Sequence, residues 1–205
     1  MSAKSGASRN RAAIEAAWKA LEGRRGKELA DRSGSRYSAG HILLPYFETR
    51  LTVDLEDRKV LMQGKEADET SSILALHYLA GCGTEAPQGN LVSFNQAEGG
   101  EAYYEAFKQR TVDRLAQEFG DTPNSLVRAG GKIGGMDREL GSASIEVRVF
   151  PKLWVTLIVW QGDEEIPASA NVLFDSMALQ ILPTEDLAVI GSLTVARLVK
   201  AKARS

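Results

Sequence analysis

The sequence predicts an α+β protein, and three observations support this class. Residues 46–62 alternate apolar and polar side chains, as a half-buried β-hairpin does. Residues 144–175 contain three further runs of strand length. Helical spacing of apolar residues recurs near residues 70–82, 101–119 and 185–202. Because the strands come in groups, we expect a single domain in which these helices pack on a mixed, largely antiparallel sheet.

The first residues of the chain are basic. Residues 1–27 carry seven cationic side chains against Glu15 and Glu22, and apolar residues from Ile14 to Leu21 recur at helical spacing. We predict an N-terminal helix or extension over residues 1–27 and a single α+β domain over 28–205. The extension is either a solvated helix or a segment that docks on RNA, a membrane surface or an acidic protein.

The first predicted hairpin pairs Tyr46–Leu55 with Val60–Met62 across the polar connection Glu56–Lys59. The next helix has Thr70 as its expected N-cap, and it is apolar on nearly all sides, which favours burial. His77 lies in the middle of this helix.

A long helix is predicted over Glu101–Phe119, where aromatic and aliphatic residues form one stripe and Gly120 follows the end. A shorter helix after Pro123 is expected to dissolve in Arg128–Met136. The two Gly-Gly pairs in that segment favour a flexible loop, although glycines around Lys132 also permit close approach of a phosphate.

The second strand group is a predicted meander. A strand with one polar face around Ile145–Val149 precedes the continuous apolar run Leu153–Trp160, which suits a strand covered on both faces. An acidic turn then leads to Ala168–Asp175. The final helix begins with acidic residues and ends with basic ones, in the order that complements the helix dipole.

Several of these pieces occur together in one known family. They are Leu76-His77-Tyr78-Leu79, Leu91-Val92-Ser93-Phe94, Gly99-Gly100 followed by Tyr103-Tyr104, and, as the most specific segment, Trp160–Asp175. Their order and spacing resemble domain-of-unknown-function family 3786 of bacteria and archaea, many of them anaerobes, over roughly Glu28–Val199. The resemblance implies no established activity. Some members of that family carry cysteine-rich iron–sulfur segments before the domain, whereas this chain has a basic, cysteine-free N-terminus, so no electron-transfer role is carried over.

Composition restricts the classes of function. A net charge of −2 gives no global attraction to nucleic acid, so no nucleic-acid partner is expected. The N-terminus lacks an apolar signal region, and the longest apolar run is too short to span a bilayer, so no membrane association is expected. The single cysteine, Cys82, cannot form an internal disulfide or a thiolate metal cluster, and it fits a reducing cytoplasm. We therefore expect a cytoplasmic protein; the oligomeric state is left open.

The candidate site residues are polar or aromatic groups near the predicted strands and the buried helix. Asp163 and Glu164 can act in acid–base chemistry or bind a divalent cation, and equally can form a solvated turn. Asp175 is either a polar site residue or a cap of the next turn. His77 can exchange protons or bind a ligand, and it can equally be a hydrogen-bonded core residue. Aromatic residues, including Tyr104, Trp154 and Trp160, can line a pocket or belong to the core. With two histidines and one cysteine, no metal site is expected.

No catalytic motif is present in these residues. The serines lack a nucleophile elbow, and no Cys–His pair is evident. We interpret the chain as a non-enzymatic module that binds a small ligand or an unidentified cofactor between the sheet and the His77 helix, through His77, Tyr104, Trp160, Asp163, Glu164 and Asp175. Two alternatives are an enzyme that uses the Asp163–Glu165 carboxylates with Arg110 or Lys132 on an anionic substrate, and a protein-interaction module that docks through its basic N-terminal helix.

Overall fold

Ten strands form two separate five-stranded sheets in the computed structural model, counted over the residues that it describes, 12–203. Every pairing between these strands is antiparallel. The α+β class is therefore confirmed. The largely antiparallel pairing is also confirmed, and the strands are divided between two sheets, with the hairpin in the first sheet and the meander in the second. The chain divides into two compact units, Met1–Glu85 and Ala86–Ser205.

The first unit contains helices α1 (residues 12–19), α2 (Gly26–Ser33) and α3 (Glu69–Gly81). Its sheet has the strand order of the chain: β1 (Arg36–Ser38), β2 (His41–Tyr46), β3 (Thr49–Asp54), β4 (Lys59–Met62) and β5 (Lys65–Glu66).

The predicted hairpin corresponds to β3 and β4, which pair with Val53 opposite Val60. The strand before it, β2, is absent from the sequence prediction because its turn gives no conventional signal. Two-residue hairpin turns usually need Gly or Asn for a positive φ. Here Phe47 takes a φ of +49° between Tyr46 and Thr49, so the pattern read as one strand contains a chain reversal.

The apolar side of α1 is buried in the first unit. Ala17, Trp18 and, just beyond the helix, Leu21 are all buried, and the Arg58 guanidinium lies 5.9 Å from the centre of the Trp18 ring. A docking function of this helix would therefore have to use its polar side. The basic residues at positions 4, 9 and 11 of the predicted N-terminal extension lie outside the described part of the chain.

The N-cap of α3 is Asp68 rather than Thr70. Asp68 has extended backbone, and its carboxylate accepts a hydrogen bond from the Ser71 backbone N–H at 2.9 Å. Aspartate is a stronger N-cap residue than threonine, which accounts for a helix start two residues before the predicted one. Six of the thirteen residues of this helix are buried, including Leu74, Leu76 and Leu79, and four more are half-buried.

The second unit begins with β6 (Leu91–Ser93), a 3₁₀ turn (Phe94–Gln96), and helices α4 (Gly100–Arg110), α5 (Val112–Phe119) and α6 (Asn124–Lys132). Strands β7 (Met136–Arg138), β8 (Ala143–Phe150), β9 (Leu153–Trp160) and β10 (Ser169–Asp175) follow, and α7 (Ala178–Ile181) and α8 (Thr184–Lys202) end the unit. The sheet order is β6-β10-β9-β8-β7, so the predicted meander lies at its centre.

One face of the second sheet is covered by helices. Phe107 of α4 lies 6.3 Å from Phe174 between ring centres, and Gly130 of α6 approaches Ile145 so closely that an added Cβ would lie 2.7 Å from its Cδ1 atom. The residues that share this face of the sheet are also buried: Val147, Val155, Leu157, Val159 and Val172. Since side chains alternate along a strand, the residues between them point to the opposite face, which we call the second face.

Two predicted helix boundaries are wrong. The long helix expected over 101–119 is divided at Thr111, whose backbone leaves the helical region at φ −124° and ψ −75°. The Phe107 carbonyl oxygen accepts both the Thr111 hydroxyl at 2.7 Å and the Thr111 backbone N–H at 3.0 Å. Such bonding of a threonine hydroxyl to the preceding turn often bends a helix, and apolar periodicity does not reveal it.

The second wrong boundary lies in the glycine-rich segment, where α6 continues through Gly130-Gly131 to Lys132. Gly130 is required there for close packing against Ile145, so this part of the segment is neither a flexible loop nor a phosphate loop.

None of the helices in residues 12–203 combines the length and the apolar character needed to cross a membrane.

Candidate functional site

The six predicted site residues are distributed over both units. His77 lies half-buried in α3 of the first unit, and the other five residues belong to the second. In the second unit Tyr104 is half-buried in α4, where its ring centre is 6.5 Å from that of Phe107. Tyr104 is therefore in contact range of the aromatic core.

Trp160 and the acidic turn lie at the opposite end of β10 from Asp175. Trp160 is paired with Ser169, the first residue of β10, and Asp175 is the last. Six residues of strand separate these positions, about 20 Å at about 3.4 Å per residue. The structure therefore does not bring Asp163 and Glu164 together with Asp175.

The Asp163 carboxylate stabilises the turn between β9 and β10. Its Oδ1 atom accepts backbone N–H groups of Glu165 at 2.9 Å and Ile166 at 2.8 Å. These donors, first that of Ile166 and then that of Glu165, hold the pKa of Asp163 below its ordinary value, because they stabilise the charged form. Asp163 and Glu164 are both exposed, and this geometry is that of a solvated turn.

Asp175 is buried and accepts hydrogen bonds from three backbone groups. Its Oδ1 atom accepts Met177 N–H at 2.9 Å and Gln88 N–H at 3.3 Å, and its Oδ2 atom accepts Gly89 N–H at 2.6 Å. The Asp175 carboxylate thus stabilises the turn that follows β10 and also holds the segment that leads into β6. Asp175 follows Phe174, so its side chain is on the second face of the sheet.

A cavity of about 240 Å³ lies beside Asp175, and we call it the Asp175 cavity. Its walls come from the segment before β6, from β6 itself, and from the second face of β7, β8, β9 and β10. The lining residues are Pro87, Gly89, Leu91, Arg138, Glu146, Trp154 and Asp175. Elements distant in sequence therefore converge on one place through strand register.

The polar wall of the Asp175 cavity contains a carboxylate, that of Glu146, whose contacts are both long. Glu146 is 15% exposed in its side chain, and its Oε2 atom lies 3.4 Å from Nη1 of Arg138. Its Oε1 atom accepts the Thr156 hydroxyl, also at 3.4 Å. Both distances are near the outer limit of a hydrogen bond and well beyond the 2.7–2.9 Å typical of strong guanidinium–carboxylate pairs. Glu146 thus has capacity to accept a closer donor.

Trp154 supplies an aromatic wall. It is half-buried on β9, and the guanidinium of Arg148, its partner in register on β8, lies 5.7 Å from the centre of its ring. This distance is within the range of a cation–π interaction. The indole of Trp154 is therefore already in an environment that attracts a cation.

A second cavity of about 190 Å³ is present in the same unit. It is more apolar, and its lining residues are Phe94, Tyr103, Arg110, Thr184, Glu185, Ala188 and Val189. Two of its polar side chains form hydrogen bonds within the fold: the Thr184 hydroxyl donates to the Glu98 carbonyl oxygen at 2.7 Å, and Arg110 Nε donates to the Ala106 carbonyl oxygen at 2.9 Å. The Asp175 cavity is the better candidate because three charged side chains line it, against two in the second cavity, and because the contacts of one of them, Glu146, are both long.

Sequence reasoning found one residue of the Asp175 cavity as a polar candidate, Asp175, and named Trp154 only among aromatic residues of pocket or core. It missed Glu146 and Arg138. In the sequence, Glu146 is a polar residue between the apolar residues Ile145 and Val147. This alternation indicates a solvent-facing position on a strand as readily as it indicates a site. Only the register Met136–Glu146 and Glu146–Thr156 shows that β7, β8 and β9 bring these side chains together.

The Asp175 cavity combines charged groups with an aromatic wall. Carboxylates, a guanidinium and an indole can orient a small polar molecule by charge and hydrogen bonds. Within residues 12–203 no group of three or more histidine, cysteine or acidic side chains is arranged to hold a metal ion.

Comparison with known proteins defines the family of this chain. Neither the curated proteins nor the solved structures gave a match. The model of a family described as a domain of unknown function, DUF3786, matches residues 26–197 of the 205. Since the match covers most of the chain and agrees with the resemblance of its motifs, the chain belongs to the DUF3786 family.

Proposed function

We propose that this protein is a small-ligand-binding module and that the ligand binds in the Asp175 cavity. The observation that carries the proposal is the convergence of Glu146, Arg138 and Trp154 beside Asp175, from four strands, on one cavity. Groups that merely keep a sheet soluble need no such convergence. The hypothesis of a ligand beside the His77 helix is thereby replaced by a site within the second unit.

The size of the cavity favours a small molecule. Its volume of about 240 Å³ is below the range of roughly 300–1,000 Å³ that is usual for drug-sized ligands. Its walls include Pro87 and Leu91 as apolar surface and three charged side chains as polar anchors. A compact polar metabolite fits this balance better than a lipid or a large cofactor.

The test is a binding screen on the full chain with a matched pair of tryptophan variants. Trp154 and Trp160 lie on the same strand and, six residues apart, on the same face, but only Trp154 lines the cavity. A library of small polar metabolites is screened by native mass spectrometry, and each hit is quantified by calorimetry. We expect Trp154→Ala to weaken binding at least tenfold and Trp160→Ala to leave it within twofold.

Two results would refute this function. One is a screen without any saturable ligand for the correctly folded wild-type protein. The other is a ligand whose affinity is reduced by Trp160→Ala and unchanged by Trp154→Ala, because that ligand would bind at the acidic turn end of β9. Circular dichroism and thermal unfolding of both variants verify that each is folded before binding is compared.

A further inference from the structure

The charges of the Asp175 cavity point to the class of its ligand. We propose that the cavity binds a small organic cation, a compact molecule with a primary ammonium group. This inference rests on the proposed function and specifies which kind of molecule occupies the site.

The first argument is the balance of charge. Among the residues that line the cavity, two carboxylates, Glu146 and Asp175, are present against one guanidinium, that of Arg138; the Arg148 guanidinium lies beside the Trp154 ring and is not part of the lining. A bound cation is attracted by this excess of negative charge, whereas a bound anion is repelled, and the interaction is stronger in a partly buried site than in bulk water.

The second argument is the state of Glu146. Its carboxylate is mostly buried, and its contacts with Arg138 and Thr156 are both 3.4 Å long. Arg138 itself is 47% exposed in its side chain. An ammonium group entering the cavity can donate a shorter hydrogen bond to Glu146 than Arg138 does, because it is not tethered to a neighbouring strand.

The third argument is the aromatic wall. An indole ring attracts cations through its negative face, more strongly than the rings of tyrosine or phenylalanine. Arg148 already lies 5.7 Å from the Trp154 ring centre, which indicates that a positive charge is favourable there. Glu146 and Trp154 line the same cavity, so both can contact one ammonium group or an ammonium group and its adjacent methylenes.

The experiment compares three probes of equal chain length that differ in charge: butylammonium, 1-butanol and butanoate. Each is titrated into the full chain and followed by calorimetry and by two-dimensional NMR. We expect butylammonium to bind at least tenfold more tightly than 1-butanol, and butanoate to show no saturable binding. Butylammonium binding should also weaken as salt is added, because screening reduces the attraction.

Two charge variants sharpen the test. Glu146→Gln keeps the shape of the side chain and should weaken butylammonium binding at least tenfold. Arg138→Met removes the cation that competes for Glu146, so it should tighten butylammonium binding at least twofold; in an anion site it would have the opposite effect. Glu164→Gln is the matched control, because Glu164 is an exposed carboxylate on the β9–β10 turn outside the cavity, and it should change the affinity by less than twofold.

The inference is overturned if butanoate or 1-butanol binds as tightly as butylammonium, if Glu146→Gln retains full affinity for butylammonium, or if none of the three probes binds. These outcomes concern only the class of ligand. The broader metabolite screen with the Trp154 and Trp160 variants decides separately whether the cavity binds any ligand at all.

Discussion

Replacing Asp175 by alanine should destabilise the protein by about 2–4 kcal/mol. The variant removes the acceptor of three backbone N–H groups. A hydrogen bond to a charged acceptor contributes about 1.5–3 kcal/mol, and a buried donor left without a partner costs about 1–3 kcal/mol. Met177 is buried, so its N–H loses its partner without access to water, while Gln88 and Gly89 are exposed and can be hydrated. The total is therefore well below three full hydrogen bonds.

The assay is urea unfolding of the full chain, combined with limited proteolysis by proteinase K and mapping of the fragments by mass spectrometry. We expect Asp175→Ala to expose residues 86–90 to cleavage, because the hydrogen bonds to Gln88 and Gly89 fix this segment. Asp175→Asn should give an intermediate loss, since one oxygen remains as an acceptor and the amide nitrogen cannot accept.

Asp163→Ala is the matched control, because Asp163 also accepts two backbone N–H groups but is exposed. It should lose less than half as much stability as Asp175→Ala. A loss below about 0.5 kcal/mol for Asp175→Ala, the range of ordinary surface substitutions, without new cleavage in residues 86–90, would refute the claim that Asp175 fixes this segment.

Two further predictions concern a helix–strand contact and the response to acid. Gly130→Ala should destabilise the protein by about 1–3 kcal/mol, because the added methyl group overpacks against Ile145. Gly131→Ala should stabilise the protein by about 0.5–1 kcal/mol, because its methyl group meets no atom within 4 Å and alanine favours the helix. Thermal unfolding of the two variants distinguishes these effects. The pKa of Asp163 is lowered in the fold, so the stability it contributes is complete above its ordinary value of 3.8 and is lost as the pH falls through the lower folded value. An NMR titration of the Asp163 carboxyl group should have its midpoint below pH 3.8, and a midpoint at or above 3.8 would contradict the role of the Ile166 and Glu165 donors. The loss of stability in acid should be smaller in Asp163→Asn than in the wild-type protein.

The pattern of apolar residues predicted the central strands and most helices, because these elements bury apolar side chains in the core. The apolar run Leu153–Trp160 and the helix that ends at Lys202 are examples. The pattern failed where a local interaction reverses or interrupts an element. Phe47 turns the chain with a positive φ and no glycine, and Thr111 leaves the helix although the apolar stripe continues across it.

The candidate site was less predictable than the fold, for a physical reason. Asp175 was identifiable because it is an acid at the end of an apolar strand. Glu146 and Arg138 are ordinary alternating polar residues in sequence, and their convergence depends on the register of β7, β8 and β9. Asp163 and Glu164 were predicted as site residues because they are adjacent acids. They belong instead to a solvated turn at the end of β10 that is opposite to Asp175.

The most direct test of the ligand site is an NMR titration of the isotope-labelled full chain with the tightest ligand from the metabolite screen. The proposed function predicts saturable shifts of the Gly89, Leu91 and Glu146 amides and of the Trp154 indole N–H, with little change at Trp160. Shifts centred on Tyr103 and Ala188 would place the ligand in the second cavity and contradict the assignment of the site to the Asp175 cavity.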